Sequence, residues 1–498
     1  MAKIAVIGTG FSGLSAACYL SDAGHEVHVF EKNEDPGGRA RQFKTKEGFV
    51  FDMGPSWYWM PDVFERFFND FGYTVADFYT LRLLDPSFEM VFENQESMII
   101  PAAFEELCNL FESVEKGSAI QLRKILNEAE RKYRLAMDGI IYQPGLSVAE
   151  FLSADFIRKG LTADIFLSFS KHIRKYFRHP KILTLLEFPV LFLGAKPSQI
   201  PALYSLMNYA ALKLGTWYPE GGFGAVVDAM VKIARSNNAT FHFESEVTKI
   251  ISHNGGVTAL EINGSVFECD GVIAAADYQH VESKLLDSNH RNYGESYWEK
   301  KTFAPSALIF YLGLNKRISR LQHHTLFFDE DFDDHIRDIY DQPRWPGKPL
   351  FYCCCPSKTD HSVAPPGHEN LFLLIPIAPG LPDDDIVRET YFKRLLQRIE
   401  KFTGENIEPH IVYKRSYCVR DFISDYNSYK GNAYGLANTI SQTAHLKPKV
   451  KNYGLKNLFY AGQLTVPGPG VPPSIISGKI ASGLLHKYLG KAKNEVVV

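Results

Sequence analysis

The sequence predicts an α/β fold that opens with a βαβ unit, and three patterns support this prediction. A second apolar strand follows the first predicted helix and ends on the acidic residue Glu31. Near the carboxyl end, the predicted strand 457–460 runs into a loop rich in glycine and proline and then into a helix. At the amino end, the short apolar strand Lys3–Ile7 runs directly into the motif Gly8-Thr9-Gly10-Phe11-Ser12-Gly13.

Each glycine of the amino-terminal motif has a physical task. Gly8 allows a tight turn, Gly10 lets backbone approach a pyrophosphate, and Gly13 lets the helix pack on the strand. The helix predicted at 12–22 offers free N–H groups and the positive end of its dipole to phosphate. Glu31 can accept hydrogen bonds from both ribose hydroxyls. The motif therefore predicts a dinucleotide site, and an accidental glycine turn is the alternative.

Two further segments favour a flavin over a nicotinamide cofactor. The first is Gly37-Gly38-Arg39, which resembles the second phosphate-side loop of FAD enzymes built like glutathione reductase and amine oxidase. Its glycines let backbone approach the cofactor, and Arg39 can bond charged or carbonyl oxygens. The second is the loop 467–474, whose glycines let backbone lie against a planar ring and whose prolines suit a first helical turn. The helix that follows would stabilise negative charge on a reduced flavin. The alternatives are a turn with a solvated arginine and a plain loop.

The pattern between these signals predicts a mixed structure. Residues 61–215 are largely helical in pattern, with loops near 144 and 196. Alternating apolar runs then predict strands, which are divided by Asn-Gly turns. The predicted strands lie at 240–251, 258–262, 266–269, 307–314, 350–355 and 371–377, and the last helix lies at 473–488.

Charge and cysteine usage exclude some classes of protein. The formal net charge of −3 gives no concentrated basic face of the kind that binds nucleic acid. The seven cysteines show neither a CxxC pair nor the Cys/His spacing of a zinc site. Cys353, Cys354 and Cys355 are consecutive in a predicted strand, where neighbouring side chains point to opposite faces. We therefore expect buried cysteines in a reducing compartment and no metal site.

The chain is expected to lie in the cytosol and to touch a membrane without crossing it. The first strand begins at once, so no secretory leader is predicted. No apolar run reaches the ~20 residues of a membrane-spanning helix. Within 151–218, a basic stretch from Lys171 to Lys181 precedes the apolar run 182–193, which suits docking on an anionic bilayer. The alternative is a solvated helix beside a buried one.

Taken together, these motifs resemble the phytoene-desaturase family of carotenoid desaturases, isomerases and oxygenases. The resemblance covers essentially the whole chain. It is strongest to bacterial carotenoid 3,4-desaturases that act on 1-hydroxylated acyclic or monocyclic carotenoids. Two further segments carry it, namely Phe51-Asp52-Met53-Gly54-Pro55-Ser56 and Trp217-Tyr218-Pro219-Glu220-Gly221-Gly222.

The resemblance implies an FAD-binding two-dinucleotide-binding-domain fold, like that of glutathione reductase and amine oxidases, with an inserted mixed α+β substrate domain. The FAD-binding domain would comprise 1–75, 222–290 and 445–498, and the substrate domain, with a helical membrane-facing part, 76–221 and 291–444. FAD would be noncovalent, since no Cys or His occurs within 462–474. The predicted cofactor contacts are Gly8, Gly10, Phe11, Ser12, Gly13, Glu31, Lys32, Gly38, Arg39, Gly54, Pro55, Ser56, Val247, Gly462, Gly470, Val471 and Pro472.

The resemblance also implies desaturation by hydride transfer from an allylic carbon to flavin N5, with loss of a proton from the neighbouring carbon. The protein's task would be to hold a polyene against the flavin and exclude water. Flat side chains suit a polyene, and Glu220 is a candidate proton acceptor, although core packing and a surface acid are the alternatives. The candidate aromatic residues are Trp57, Tyr58, Trp59, Trp217 and Tyr218.

Several functions remain open at this stage. Within the family, a carotenoid isomerase or a terminal-methyl oxygenase shares the FAD motifs. A flavin amine oxidase shares the cofactor architecture, and a prenyl-binding escort protein of the Rab-GDP-dissociation-inhibitor type shares the fold without the flavin. For an oxidase or desaturase, the sequence leaves the electron acceptor open between a quinone and oxygen.

Overall fold

A parallel five-stranded sheet forms the first half of the fold and collects strands from three parts of the chain. The computed structural model describes residues 1–147, 150, 167–191 and 194–496. The sheet has the order β19-β13-β1-β2-β9. Its strands are β1 (Lys3–Ile7), β2 (Glu26–Phe30), β9 (Thr240–His242), β13 (Gly271–Ala274) and β19 (Leu458–Tyr460).

The apolar strand β1 lies at the centre of this sheet because both of its faces are covered. Ile4 and Val6 point to one core and Ala5 to another, and all three are fully buried. The strand pairs with β2 from Lys3 to Ile7 and with β13 from Ile4 to Ile7. The carboxyl ends of these strands therefore lie side by side at one edge of the sheet.

Helices cover the parallel sheet, and two of them approach unusually closely. The first helix packs on the last one, where a Cβ added to Gly478 would lie 2.3 Å from the carbonyl oxygen of Ser12. The Ser15 hydroxyl donates to the carbonyl of Ile475 at 2.7 Å. The described helices of seven residues or more are α1 (Phe11–Asp22), α2 (Pro61–Asn69), α3 (Phe104–Val114), α4 (Ser118–Met137), α5 (Pro180–Leu191), α6 (Leu206–Leu212), α7 (Phe223–Ser236), α8 (Phe332–Tyr340), α9 (Asp385–Thr403), α10 (Val419–Tyr426) and α11 (Val471–Val496).

A seven-stranded sheet forms the second half of the fold. Its order is β18-β14-β17-β16-β15-β6-β7, and all neighbours are antiparallel except β6 and β15. Helix α9 packs on one face, and the other face joins the main core. Its strands are β6 (Phe88–Val91), β7 (Ser97–Ile100), β14 (Ser306–Leu314), β15 (His324–Phe327), β16 (Phe351–Cys354), β17 (Glu369–Ile377) and β18 (Ile411–Tyr417).

Three smaller sheets complete the described part of the fold. All strands of the parallel sheet fall within the ranges predicted for the FAD-binding domain, and all strands of the seven-stranded sheet fall within the substrate ranges. The smaller sheets are β3 (Gln42–Lys44) with β4 (Val50–Asp52), β5 (Leu81–Leu83) with β8 (Trp217–Pro219), and β10 (Val247–His253) with β11 (Gly256–Ile262) and β12 (Ser265–Glu268).

The helical prediction for 61–215 is wrong for the part between Leu81 and Ile100. The structure has β5, β6 and β7 there. Strand β6 is buried at all four positions because it lies inside the large sheet, between β15 and β7. A short run that is apolar on both faces shows no hydrophobic periodicity, so its sequence does not distinguish a strand from a buried helix.

The structure also bears on the cysteines and on membrane crossing. All seven cysteines are buried, and none forms a disulfide. No helix in the described part of the chain combines the length and the apolar character that crossing a membrane requires.

Candidate functional site

A cavity of about 970 Å³ lies between the two large sheets. Residues that directly follow β1, β2, β13 and β19 all line it, so the cavity sits at the carboxyl edge of the parallel sheet, where α/β proteins bind nucleotides. Sixteen of the seventeen predicted cofactor contacts line this cavity, all except Gly13. They are Gly8, Gly10, Phe11, Ser12, Glu31, Lys32, Gly38, Arg39, Gly54, Pro55, Ser56, Val247, Gly462, Gly470, Val471 and Pro472.

The turn between β1 and α1 is shaped by its glycines. Gly8 has a φ of +97°, which L side chains rarely adopt. Gly13 lies behind the cavity, where an added Cβ would lie 2.0 Å from the carbonyl oxygen of Gly8. Gly10 faces the cavity, and no described atom lies within 4 Å of where its Cβ would be. Backbone is thus open to a ligand at Gly10, at the amino end of a helix that no side chain caps.

Glu31 is held rigidly at the end of β2. Its Oε2 accepts from the backbone N–H of Thr9 at 3.0 Å and from the Thr9 hydroxyl at 2.6 Å. Its Oε1 accepts from the backbone and side-chain nitrogens of Asn33 at 3.0 and 2.8 Å. The carboxylate therefore joins the glycine turn to the second strand and presents fixed acceptor oxygens at the cavity wall. The next residue, Lys32, donates to the carbonyl of Ser424 at 2.7 Å.

Arg39 lines the cavity, and its guanidinium is only partly hydrogen-bonded by the protein. Its Nη2 donates to the Ser428 hydroxyl at 3.1 Å and to the Asn432 carbonyl at 3.2 Å. Its Nε is buried and has no hydrogen-bond partner among the described residues. Burial lowers the pKa of Arg39, and burial also raises the pKa of Asp277, another cavity residue, to about 6. An acceptor on a bound ligand would satisfy the spare N–H of the guanidinium.

The carboxyl-terminal block closes the cavity from the other side. Gly462 and Gly470 have φ values of +122° and +111°, which require glycine. The N–H of Gly462 donates to the Ser477 hydroxyl at 3.0 Å. Gln463 lines the cavity, and its buried Nε2 lacks a partner within the described residues. Together with Gly10 and Arg39, this open amide fits a bound FAD, which offers phosphate and ring oxygens as acceptors.

The structure separates the aromatic candidates. Trp57 and Trp59 line the cavity, with ring centroids 5.1 Å apart. Tyr58 points the opposite way, because neighbouring residues of an extended segment alternate in direction. It stacks on Phe64 at 4.1 Å, and its hydroxyl lies 2.9 Å from that of Tyr79.

The motif at 217–222 lies outside the large cavity. Trp217 donates from Nε1 to the Leu214 carbonyl at 2.8 Å. Tyr218 lines a separate small cavity of about 30 Å³, and its hydroxyl donates to Asp360 at 3.1 Å. Glu220 forms an ion pair with Arg82 at the surface. These contacts give the three side chains structural partners away from the large cavity.

Sequence reasoning missed the apolar wall of the large cavity. It is formed by the second sheet and α8, including Ala307 and Ile309 of β14, Leu326 of β15, and Ile336 and Ile339. Strand β14 is buried at all nine positions, so its sequence shows an apolar run without a period of two. The signal for a buried strand was present, but which face borders a cavity depends on the tertiary fold.

In the segment predicted to dock on a bilayer, most of the described apolar run is buried, whereas the basic side chains of Lys171, Arg174, Lys175 and Arg178 are exposed. Ile182, Leu185 and Leu186 in α5 are inaccessible to solvent, and Arg174 pairs with the buried Glu187. A bilayer therefore cannot reach these side chains in this conformation, and this part of the apolar run is core. The rest of this prediction, at 151–166 and 192–193, lies outside the described residues.

The cavity instead reaches the surface beside other apolar side chains. Ile440 and Leu446 line it and are 37% and 43% exposed, so they mark its mouth. Leu146 is 41% exposed and lies nearby, because the Lys449 ammonium donates at 2.7 Å to the carbonyls of both Gly145 and His445. The mouth thus carries apolar groups that water solvates poorly.

Comparison with known proteins gives consistent relatives. The model for flavin containing amine oxidoreductases matches residues 11–486. A carotenoid 3,4-desaturase of Haloarcula japonica is 41% identical over 477 residues, which cover 96% of each chain. A zeta-carotene-forming phytoene desaturase of Myxococcus xanthus is 30% identical over 98% of this chain and 94% of its own. The solved structure of putrescine oxidase bound to putrescine aligns with a TM-score of 0.62 at 13% identity, over 98% of this chain and 99% of that one.

Proposed function

This chain belongs to the flavin-containing amine oxidoreductase family, and from that premise we propose that it desaturates a carotenoid. The predicted amine oxidase-like fold and the predicted FAD dependence are confirmed, and the chain is an FAD-dependent oxidoreductase. The observation that carries the substrate proposal is one cavity of about 970 Å³ that the glycine loops and a wall of apolar side chains line together. Such a cavity suits a long hydrocarbon beside a flavin.

The proposed reaction is 3,4-desaturation of a 1-hydroxylated acyclic or monocyclic carotenoid. The 41% identity to a carotenoid 3,4-desaturase over 96% of the chain supports this choice. Bound FAD supplies a hydride acceptor. The residues of this chain position the polyene and exclude water, with Trp57 and Trp59 as flat surfaces and Ala307 and Ile309 as the facing wall.

We also propose that the substrate enters from a bilayer and that the protein is peripheral at the inner face of the cytoplasmic membrane. Ile440, Leu446 and Leu146 give the cavity mouth an apolar rim. A carotenoid dissolved in lipid could pass this rim without exposure to water. A quinone in the same membrane or oxygen would then accept the electrons.

The reaction is tested by anaerobic incubation of the FAD-loaded protein with lycopene-type and 1-hydroxylated carotenoids. We expect loss of oxidised-flavin absorbance and a product lighter by two hydrogens. A product of unchanged mass would identify an isomerase, and a gain of oxygen in air would identify an oxygenase. Amine-dependent peroxide would identify an amine oxidase. Each of these results, or inertness toward every carotenoid despite bound flavin, would refute the desaturase proposal.

The entrance is tested by vesicle flotation. We expect the double variant Ile440→Asp/Leu446→Asp to float less with anionic vesicles than the wild type, because two carboxylates would have to enter the interface. Ile386→Asp is the matched control, since Ile386 is 80% exposed and does not line the cavity. Equal flotation of the double variant and the control would contradict the proposed entrance.

A further inference from the structure

Two histidines and a cysteine meet in the interior, behind Trp57. His323 precedes β15, His324 begins it, and the strand register places His324 opposite Cys354 of β16. One ligand atom from each of the three side chains lies within 4.8 Å of the other two. His323 is 5% exposed, His324 0% and Cys354 1%, so solvent does not reach the cluster.

Hydrogen bonds prepare both imidazoles to bind a cation. Nδ1 of His324 lies 2.6 Å from the Tyr352 hydroxyl, which itself donates to Ser56 at 3.0 Å. The Tyr352 oxygen therefore accepts from Nδ1–H, and Nε2 of His324 keeps its lone pair. Nδ1 of His323 lies 2.7 Å from the Thr359 hydroxyl, whose oxygen can accept from Nδ1–H. Outer contacts of this kind fix the ring orientation of metal-binding histidines.

The remaining nitrogens have nothing to bind in the described part of the chain. Nε2 of His323 and Nε2 of His324 are both buried without a hydrogen-bond partner. Buried polar atoms are rarely left unsatisfied, so two such nitrogens on side chains that meet one thiol require an explanation. A cation between the three side chains would satisfy both nitrogens at once.

We propose that His323, His324 and Cys354 bind one zinc ion. Two imidazoles and a thiolate form a donor set that zinc prefers. The small cavity of about 30 Å³ is lined by His323 and Cys354 and has room for a water as the fourth ligand. Asp52 lines the same cavity, so its carboxylate and the Cys354 thiolate offset the charge of the ion.

The position of the site gives the ion a structural role. The ring of Trp57 stacks on that of His324, with centroids 4.0 Å apart and planes 16° apart. Tyr352 connects the same histidine to Ser56. Zinc would therefore tie β15 to β16 directly beneath Ser56 and Trp57, two residues of the large cavity wall.

Metal analysis of the FAD-loaded wild type, purified without metal-affinity resin and reconstituted with zinc, tests the site. We expect about one zinc ion per chain. Loss of a residue that only orients a ligand can lower metal affinity by roughly 100-fold. Cys354→Ala removes a ligand itself, so it should lower the zinc affinity by at least as much. Cys353→Ala is the matched control, because Cys353 is equally buried but belongs to the opposite core. Wild type that stays zinc-free, or equal zinc binding by both variants, would overturn the proposal.

A measurement on the wild type alone covers the case in which Cys354→Ala fails to fold. Zinc K-edge absorption should show one sulfur at about 2.3 Å and nitrogen ligands at about 2.0–2.1 Å. A zinc signal without sulfur would place the ion elsewhere and refute the site.

Discussion

Gly13 packs so closely on Gly8 that a Cβ at residue 13 would lie 2.0 Å from the Gly8 carbonyl oxygen. Neither side of this contact is a flexible side chain, so Gly13→Ala must displace the helix or the turn. We expect this variant to lower the free energy of unfolding of the flavin-free protein by about 3 kcal/mol or more. Urea denaturation measures the change, and an unchanged midpoint would contradict the contact.

Gly10→Ala should behave in the opposite way. Its φ of −62° suits alanine, and the added Cβ would touch no described atom. The stability of the flavin-free protein should therefore stay within about 0.5 kcal/mol of the wild type. FAD affinity should fall at least about tenfold, or about 1.4 kcal/mol, because the methyl group enters the space where backbone meets the cofactor. Flavin titration separates the two effects, and unchanged affinity would place the cofactor elsewhere.

Arg39→Lys tests the guanidinium at the cavity. Lysine keeps the positive charge but lacks the planar guanidinium. In Arg39, Nη2 bonds both Ser428 and Asn432, and Nε remains available to a ligand. We expect FAD affinity to fall by about tenfold or more, which flavin fluorescence titration can measure. Arg41→Lys is the control, since Arg41 pairs with Asp425 and does not line the cavity. An equal loss in both variants would indicate general destabilisation.

The sequence predicts the cofactor half of the fold well because its signals are local. Strands β1 and β2 have the predicted bounds, and the predicted helix at 12–22 begins one residue late. In this half, a tight turn, a helix start and an acidic residue follow one another within a few residues. Strand β6 was missed because β15, which is distant in sequence, pairs with it inside the large sheet, and β7 pairs with β6 in turn.

The substrate side of the site depends on long-range geometry. Trp57, Tyr58 and Trp59 look equivalent as a sequence, but only the two tryptophans face the cavity. The approach of His324 to Cys354 follows from the register of β15 on β16, which no spacing rule contains. Cys/His spacing along the chain predicted no metal site. That spacing contains no information about this cluster, for which we propose a zinc ion.

Lys447 predicts a pH dependence of stability. The residue is 2% exposed, its ammonium has no partner among the described residues, and burial lowers its pKa from 10.5 to about 7. Between pH 7 and 10.5, the unfolded chain binds the proton that the folded chain has lost, so stability rises with pH. The rise should be on the order of 4 kcal/mol across this window.

Lys447→Met is the test of this dependence. Methionine does not titrate, so the variant should lack the rise between pH 7 and 10.5 and should exceed the wild type most clearly at the lower end. Denaturation of both flavin-free proteins at several pH values measures the difference. Parallel pH profiles would show that Lys447 remains charged in the folded protein.

Ala307→Phe tests whether the apolar wall binds the substrate. Ala307 is fully buried in β14 and borders the large cavity, so the added ring can occupy the cavity rather than displace neighbouring side chains. We expect kcat/KM for a carotenoid to fall at least about tenfold, or about 1.4 kcal/mol, while FAD occupancy stays unchanged. Ile309→Leu, a change of shape at constant volume in the same wall, should lower it much less. Loss of flavin from Ala307→Phe, or full activity with the narrowed cavity, would show that the polyene does not lie against β14.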